Sequence, residues 1–257
     1  MRLAVTEFPA EKGVEEAPLI VAHGLFGAAR NWRGLARRMS AGRRTLVVDM
    51  RNHGASPHDP VHDYPAMAGD LAELIEVEGG RAAVLGHSMG GKAAMILAQT
   101  RPELVERLIV ADIAPIAYGH SLSHHIAAMK AIDLGGLTRR SEVEIALAER
   151  IPEPGVAGFL AQSADLTAEP PRWSLNLDAL DDQMALIVGY PDEQGVFDGP
   201  TLFLNGGASD YVPASAHDDI RSLFPTARFE TLEGAGHWLH AEKPREFIAA
   251  VSAFVAA

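Results

Sequence analysis

Ser88 stands in Gly86-His87-Ser88-Met89-Gly90, a Gly-x-Ser-x-Gly pentapeptide. From average Gly and Ser usage such a pentapeptide would arise by chance in roughly one chain in ten of this length, so its flanks decide its meaning. An apolar run, Ala82 to Leu85, precedes it, and a helix-forming run, Gly91 to Gln99, follows. Strand, tight turn and helix make the context of a nucleophile elbow, in which a strained turn lifts the serine hydroxyl into the open. A serine hydroxyl is a poor nucleophile at neutral pH and needs a base, which in turn needs an orienting acid. In elbow sites the chain order is Ser, acid, His.

His237, in Gly234-Ala235-Gly236-His237-Trp238, is the candidate base, because a glycine-rich loop lets it reach across strand ends. His240 competes, but it falls at the start of the last helix, where a solvated or capping role is expected. Two carboxylates qualify as the acid. Asp112 closes one strand, in Val110-Ala111-Asp112, and Asp210 follows the next, in Gly206-Gly207-Ala208-Ser209-Asp210. Both lie beyond carboxyl ends of sheet strands, where such folds bind ligands, and chain order alone leaves the choice open. An oxyanion requires backbone N–H donors. Met89, next to the serine, supplies one; the loop His23-Gly24-Leu25-Phe26-Gly27 supplies the other, from Leu25 first and Phe26 second.

Other reactive side chains read as structural. His23 precedes glycine at a strand end and suits a hydrogen bond. Asp49 and Arg51 suit a buried pair fixing the turn Asp49 to Pro57. His53 and Ser56 come too early for the expected order. No metal site is expected, since the eleven histidines show no His-Glu-x-x-His pattern and the adjacent His124 and His125 should point apart on a helix.

The elements that must position these groups alternate along the chain. Apolar runs at 18–22, 45–49, 82–85, 108–112, 201–204 and 228–232 suit strands covered on both faces. Helical patterns fall at 32–39, 64–77, 91–100, 215–224 and 244–255, and residues 3–8 suit an extra edge strand. The fold class is α/β, a mostly parallel sheet flanked by helices. From about 113 to 199 no buried strand is evident. Helices at 121–132, 141–150, 156–162 and 177–188, separated by joints such as 152–155 and Pro170-Pro171, suggest a helical insertion before the penultimate strand. The expected organisation is a core of 1–113 and 200–257 with a helical cap at 114–199. Within that cap Arg172, Trp173 and Tyr190 are candidates to line the substrate entrance.

A length of 257 residues suits one domain carrying an insertion. The formal net charge of −12 argues against nucleic acid and anionic membranes as partners. With no cysteine, disulfides, thiolate zinc sites and a cysteine nucleophile are excluded. No run has bilayer-spanning length, and the N-terminus lacks a signal-type apolar core, so a cytoplasmic location is expected.

Together these motifs resemble the α/β-hydrolase superfamily over nearly the whole chain. Within it the chain is similar to the small bacterial YbfF-type carboxylesterases. The resemblance rests on His-Gly-Leu-Phe-Gly at 23–27, Asp-Met-Arg-Asn-His-Gly at 49–54, Gly-His-Ser-Met-Gly-Gly-Lys at 86–92, Asp-Ile-Ala-Pro at 112–115 and Gly-Ala-Gly-His-Trp-Leu-His-Ala-Glu-Lys-Pro at 234–244. It implies a capped α/β-hydrolase fold and a cofactor-free serine esterase, and the apolar cap with no obvious cationic pocket favours small to medium, largely uncharged acyl esters. In many superfamily members the acid follows the penultimate strand, which corresponds to Asp210. In YbfF-type members it precedes Ile-Ala-Pro, which corresponds to Asp112, the choice adopted here. The resemblance also implies an auxiliary contact from Ser209 to His237. The same triad serves C–C hydrolases, thioesterases, cofactor-free haloperoxidases and lyases, and a ligand-binding protein without turnover is the third alternative.

Overall fold

The structure is a computed structural model that describes residues 1–11, 16–153, 155–192 and 195–257. Pro154, in the joint expected at 152–155, lies outside them.

Strand β1 (Ala4–Phe8) pairs antiparallel with β3 (Thr45–Asp49), which runs parallel to β2 (Leu19–Ala22). β4 (Ala82–His87), β5 (Val105–Ala111), β8 (Thr201–Gly206) and β9 (Ala227–Leu232) extend the sheet in parallel, in the order β1-β3-β2-β4-β5-β8-β9. β2 and β4 are buried at every position, which explains their unbroken apolar runs. Alternate residues serve opposite faces. Leu19 and Val21 pack with α1 (Ala29–Met39) and α11 (Pro244–Ala256), whereas Ile20 and Ala22 share a core with α2 (Tyr64–Val77) and α3 (Met89–Thr100).

Between β5 and β8 come α4 (Ser123–Lys130), α5 (Arg140–Ala148), α6 (Val156–Ala161), α7 (Leu177–Asp182) and α8 (Met184–Val188). The single helix expected at 177–188 is thus two. A short antiparallel pair, β6 (Ala164–Asp165) with β7 (Arg172–Trp173), also lies in this stretch; at two residues each, these strands are too short to leave a periodic signal. α9 (His217–Leu223) follows β8, and α10 (Leu239–Glu242) follows β9.

The insertion is tied to the core by polar groups. The ammonium of Lys92, buried on α3, donates to the carbonyls of Ile116 at 2.8 Å, Val188 at 3.1 Å and Gly189 at 2.5 Å. These include the C-terminal end of α8, where a cation is favoured. Asn176 donates through its backbone and side chain to Asn52, each at 3.0 Å.

The expected pair of Asp49 with Arg51 does not form. Asp49 instead accepts from the N–H groups of Ala29 at 2.6 Å and Ala55 at 2.9 Å, joining the start of α1 to the turn after β3. Arg51 reaches through space to Asp70 of α2 in a bidentate pair of 2.6 and 2.9 Å, with Val61 and Ala66 carbonyls as further acceptors. Residues two apart on an extended chain share a face, but Asp49 is recruited by N–H groups that have no other acceptor. Both members of the Arg51–Asp70 pair are buried, and Asp70 also accepts from the N-terminal ammonium at 2.5 Å, so removing it leaves Arg51 with only Asp59, at 4.0 Å, as a carboxylate partner. Asp70→Ala is expected to cost ~3–5 kcal/mol, read as a lower urea midpoint at unchanged slope; a change under ~1 kcal/mol would show the pair to be dispensable.

Candidate active site

Ser88 sits between β4 and α3 with φ 52° and ψ −119°, a conformation costing a side-chain-bearing residue ~1–3 kcal/mol. Packing holds it there: its N–H donates to the Ala111 carbonyl at 3.0 Å. A Cβ on Gly86 would fall 2.2 Å from the Gly90 carbonyl oxygen, and one on Gly90 would fall 2.4 Å from that of Ala22. Both glycines are therefore required by the closeness of helix, elbow and neighbouring strand.

His237 Nε2 lies 3.1 Å from Ser88 Oγ and accepts its proton, while His237 Nδ1 donates to Asp112 Oδ2 at 2.7 Å. Asp112 is fully buried at the end of β5, with φ 53°, and its N–H donates to Leu204 at 3.0 Å. Its Oδ1 accepts from the Gly206 N–H at 2.9 Å, and its Oδ2 also accepts from Ser209 Oγ at 2.5 Å. Ser209 thus touches Asp112 and not His237, the contact expected from the sequence. Asp210 is exposed and makes no hydrogen bond to His237. β5 ends beside β4, so a carboxylate there already faces the elbow, whereas the loop carrying Asp210 turns Tyr211 inward. Tyr211 stacks on the His237 ring with centroids 3.9 Å apart, and its carbonyl accepts from Tyr118 Oη at 2.6 Å.

Of the two oxyanion-loop candidates, Phe26 spends its N–H on His53 Nε2 at 3.1 Å. The Leu25 N–H finds no acceptor among the described residues, nor does that of Met89, the first residue of α3. Both are available to a developing oxyanion, and the Met89 N–H adds the positive end of the helix dipole.

Six histidines are buried, and five of them, His23, His53, His62, His87 and His240, brace these groups. His23 Nδ1 donates to the Gly24 carbonyl at 2.8 Å and its Nε2 accepts from the Met50 N–H at 3.0 Å. His53 likewise donates to the Arg51 carbonyl at 2.8 Å and accepts from Phe26. Each ring uses one donor and one acceptor, which only the neutral imidazole offers. Burial pushes His23 down to about 4, His53 to about 3, His62 to about 2 and His240 to about 3. His87, pushed well below its ordinary range by burial, donates from Nε2 to the His237 carbonyl at 2.9 Å. His240 is buried, not solvated, and stacks on Trp32 with centroids 4.4 Å apart.

A cavity of about 190 Å³ opens over Ser88. Leu25, Phe26, Leu122, His125, Val156, Phe159, Leu160, Tyr211 and Trp238 line it, and no lysine, arginine, aspartate or glutamate does. The residues expected at the entrance lie elsewhere. Tyr190 Oη donates to Gln99 at 2.6 Å beneath the insertion, and Arg172 and Trp173 line a separate hollow with Pro170 and Pro171. Sequence position within the insertion could not tell which helix faces the serine; Trp238, next to His237, was the one signal available. His124 and His125 also depart from expectation, since their ring centroids lie only 3.9 Å apart.

The sequence profile of the alpha/beta hydrolase family matches residues 19–251. Mouse sn-1-specific diacylglycerol lipase ABHD11 is 43% identical over 247 residues, spanning 93% of this chain and 80% of that protein. Esterase YbfF of Escherichia coli K12 is 37% identical over 258 residues, 99% of each chain. Among solved structures, a marine microorganism esterase superposes with a TM-score of 0.92 at 35% identity, covering 98% of this chain and 99% of that one.

Two outcomes are expected from this geometry. Asp112→Asn should lower kcat for an activated ester by ~10⁴-fold, the scale known for a triad acid, while Asp210→Asn leaves it within about twofold; the reverse ranking would transfer the role. Second, an unfolded histidine takes up its proton near pH 6.5, whereas the buried His23, His53, His62 and His240 resist to about pH 4 or below, and burial pushes His87 down as well. Below pH 6.5 the unfolded chain binds more protons, so stability falls as pH falls, by ~1.4 kcal/mol per unit for each histidine. Urea midpoints should be flat with respect to these groups above pH 7 and drop steeply between pH 6.5 and 5. A flat profile across that window would show the histidines to be charged in the fold.

Proposed function

The chain belongs to the α/β-hydrolase family and is a serine ester hydrolase, and from that premise we propose how its residues divide the work. The observation that carries the proposal is the continuous relay from Ser88 Oγ through His237 to a buried Asp112, with separations of 3.1 and 2.7 Å. Ser88 attacks the ester carbonyl as His237 Nε2 takes its proton. Asp112 holds the Nδ1–H tautomer and stabilises the imidazolium that forms. The N–H groups of Met89 and Leu25 bind the oxyanion, and losing one such donor typically costs ~10²–10³-fold in rate. His237 then protonates the leaving alkoxide. The acyl-enzyme on Ser88 is cleaved when His237 activates water, and the proton returns to Ser88.

The insertion at 114–199 is proposed to act as a cap, because Leu122, His125, Val156, Phe159 and Leu160 all come from it and line the cavity. An uncharged wall favours neutral acyl groups. At about 190 Å³ the cavity is smaller than the ~300–1,000 Å³ of pockets for drug-sized ligands, which favours small to medium acyl chains. The mouse relative's name gives a diacylglycerol lipase, an activity that handles a larger substrate, so acyl length is the discriminating variable. A cytoplasmic setting and small-molecule ester partners complete the proposal; among the described residues no helix is long and apolar enough to cross a membrane.

The test is a series of p-nitrophenyl esters of rising acyl length. Turnover should peak at short to medium chains and vanish in Ser88→Ala. Phe159→Ala should move the optimum to longer chains by opening the cavity. Turnover unaffected by Ser88→Ala would sink the esterase reading, and an optimum at long chains would favour the lipase-like substrate.

A further inference from the structure

The first turn of α4 and the joint before α6 bring together three metal-ligating side chains, one of which, His125, lines the cavity. His124 Nε2 lies 3.7 Å from Glu153 Oε1, and His125 Nε2 lies 4.0 Å from Glu153 Oε2. One ligand atom from each of the three falls within 4.8 Å of the others. His125 is the buried member, 7% exposed, and its Nε2 has no hydrogen-bond partner among the described residues. A buried imidazole nitrogen left unpaired costs ~1–3 kcal/mol, so it requires an occupant or an explanation.

We propose that His124, His125 and Glu153 bind a divalent transition-metal ion of borderline softness, of which zinc is the natural probe. Two imidazoles with one carboxylate suit zinc, nickel, cobalt or copper, whereas magnesium and calcium require mostly oxygen ligands. Tetrahedral zinc, at ~2.0–2.2 Å from each ligand, sets neighbouring ligand atoms ~3.3–3.5 Å apart. The separations of 3.7 and 4.0 Å, made to different oxygens of Glu153, and the spread of up to 4.8 Å across the three ligand atoms require the cluster to contract around an ion. His124 and Glu153, each about half exposed, are free to supply that contraction while His125 stays fixed. This cluster runs against the expectation of no metal site, because Glu153 is 28 residues from His125 and only the fold joins them.

Three protein ligands leave a fourth position for water or an exogenous group. The ion would bridge the two walls of the Ser88 cavity, since Leu122 and His125 belong to one and Val156 and Phe159 to the other. Its role is to stiffen the rim and restrict access. No step of ester cleavage passes through it.

The experiment is calorimetric titration of chelator-treated full-length protein with Zn²⁺ alone, in the Ser88→Ala background, paired with thermal unfolding. One ion should bind per chain, and Tm should rise with free Zn²⁺. His124→Ala and Glu153→Gln, both at exposed positions, should each weaken binding by at least ~10-fold, the loss that even outer-shell partners of a metal incur. Mg²⁺ should produce no shift. Absence of binding at millimolar Zn²⁺, or affinity unchanged in both variants, would overturn the proposal. Because the readout needs no turnover, it stands or falls separately from the esterase reading.

Discussion

A single buried carboxylate organises the functional end of this molecule. Asp112 has no exposed surface, and a lone charge in that position would be severely penalised. It is tolerated because three donors converge on it from different segments: the Gly206 N–H at the end of β8, the Ser209 hydroxyl in the loop that follows, and His237 Nδ1 beyond β9. Each is charge-assisted and therefore stronger than a neutral hydrogen bond. The same contacts that compensate the charge also fix β5, β8 and the His237 loop relative to one another. Stability and orientation of the proposed base are thus one problem with one solution, and Ser209 acts on His237 through the carboxylate they share and through Tyr211, whose N–H it accepts at 3.3 Å.

The two strained residues on β4 and β5 follow from the same arrangement. Ser88 and Asp112 both have positive φ, and each immediately follows the last residue of its strand. The strands are neighbours in parallel register, with His87 opposite Ala111. A chain leaving the sheet at these points in an ordinary conformation would carry both side chains away from each other. The left-handed conformation turns them toward the shared space beyond the strand ends, where His237 is inserted. The cost is met by a sheet buried on both faces and by glycines at 86 and 90 that allow α3 to press directly on the elbow.

How legible this was in the sequence depended on whether a feature is local. The strand runs, the edge strand, the elbow and its glycines, and the glycine-rich loop of His237 all follow from adjacent residues, and the α/β pattern they form is the one observed. The acid could not be separated from Asp210 by residue order; the register of β5 against β4 decides which carboxylate faces the serine. Arg51 finds Asp70 and not Asp49 for the same reason, since its partner lies on a helix 19 residues on. The lining of the cavity was misread because a helical insertion offers several apolar faces. Tyr190 and Trp173 lie on faces turned to the core and to another hollow, whereas Leu122 and Phe159 face the serine.

That division has a consequence for how specificity and chemistry are separated in the fold. The groups proposed to act on the ester bond stand on strand ends and are fixed by buried neutral histidines, backbone N–H groups and the Asp112 cluster. The groups that shape the acyl cavity come mainly from the insertion, which is held to the core at a few polar points: Lys92 on the carbonyls of Ile116, Val188 and Gly189, and Asn176 on Asn52. None of these side-chain contacts is made to Ser88, His237 or Asp112; Lys92 meets the elbow only through its backbone N–H, which donates to the Ser88 carbonyl at 3.1 Å. A substitution at Leu122, Val156 or Phe159 therefore alters the volume over the serine without disturbing the relay, because no hydrogen bond of the relay passes through the insertion. Two hydrogen bonds join the start of the insertion to Tyr211, the residue whose ring stacks on His237: Tyr118 Oη donates to the Tyr211 carbonyl at 2.6 Å, and Tyr211 Oη pairs with His120 Nε2 at 3.2 Å. Movement of the insertion can reach the base through Tyr211 by this route.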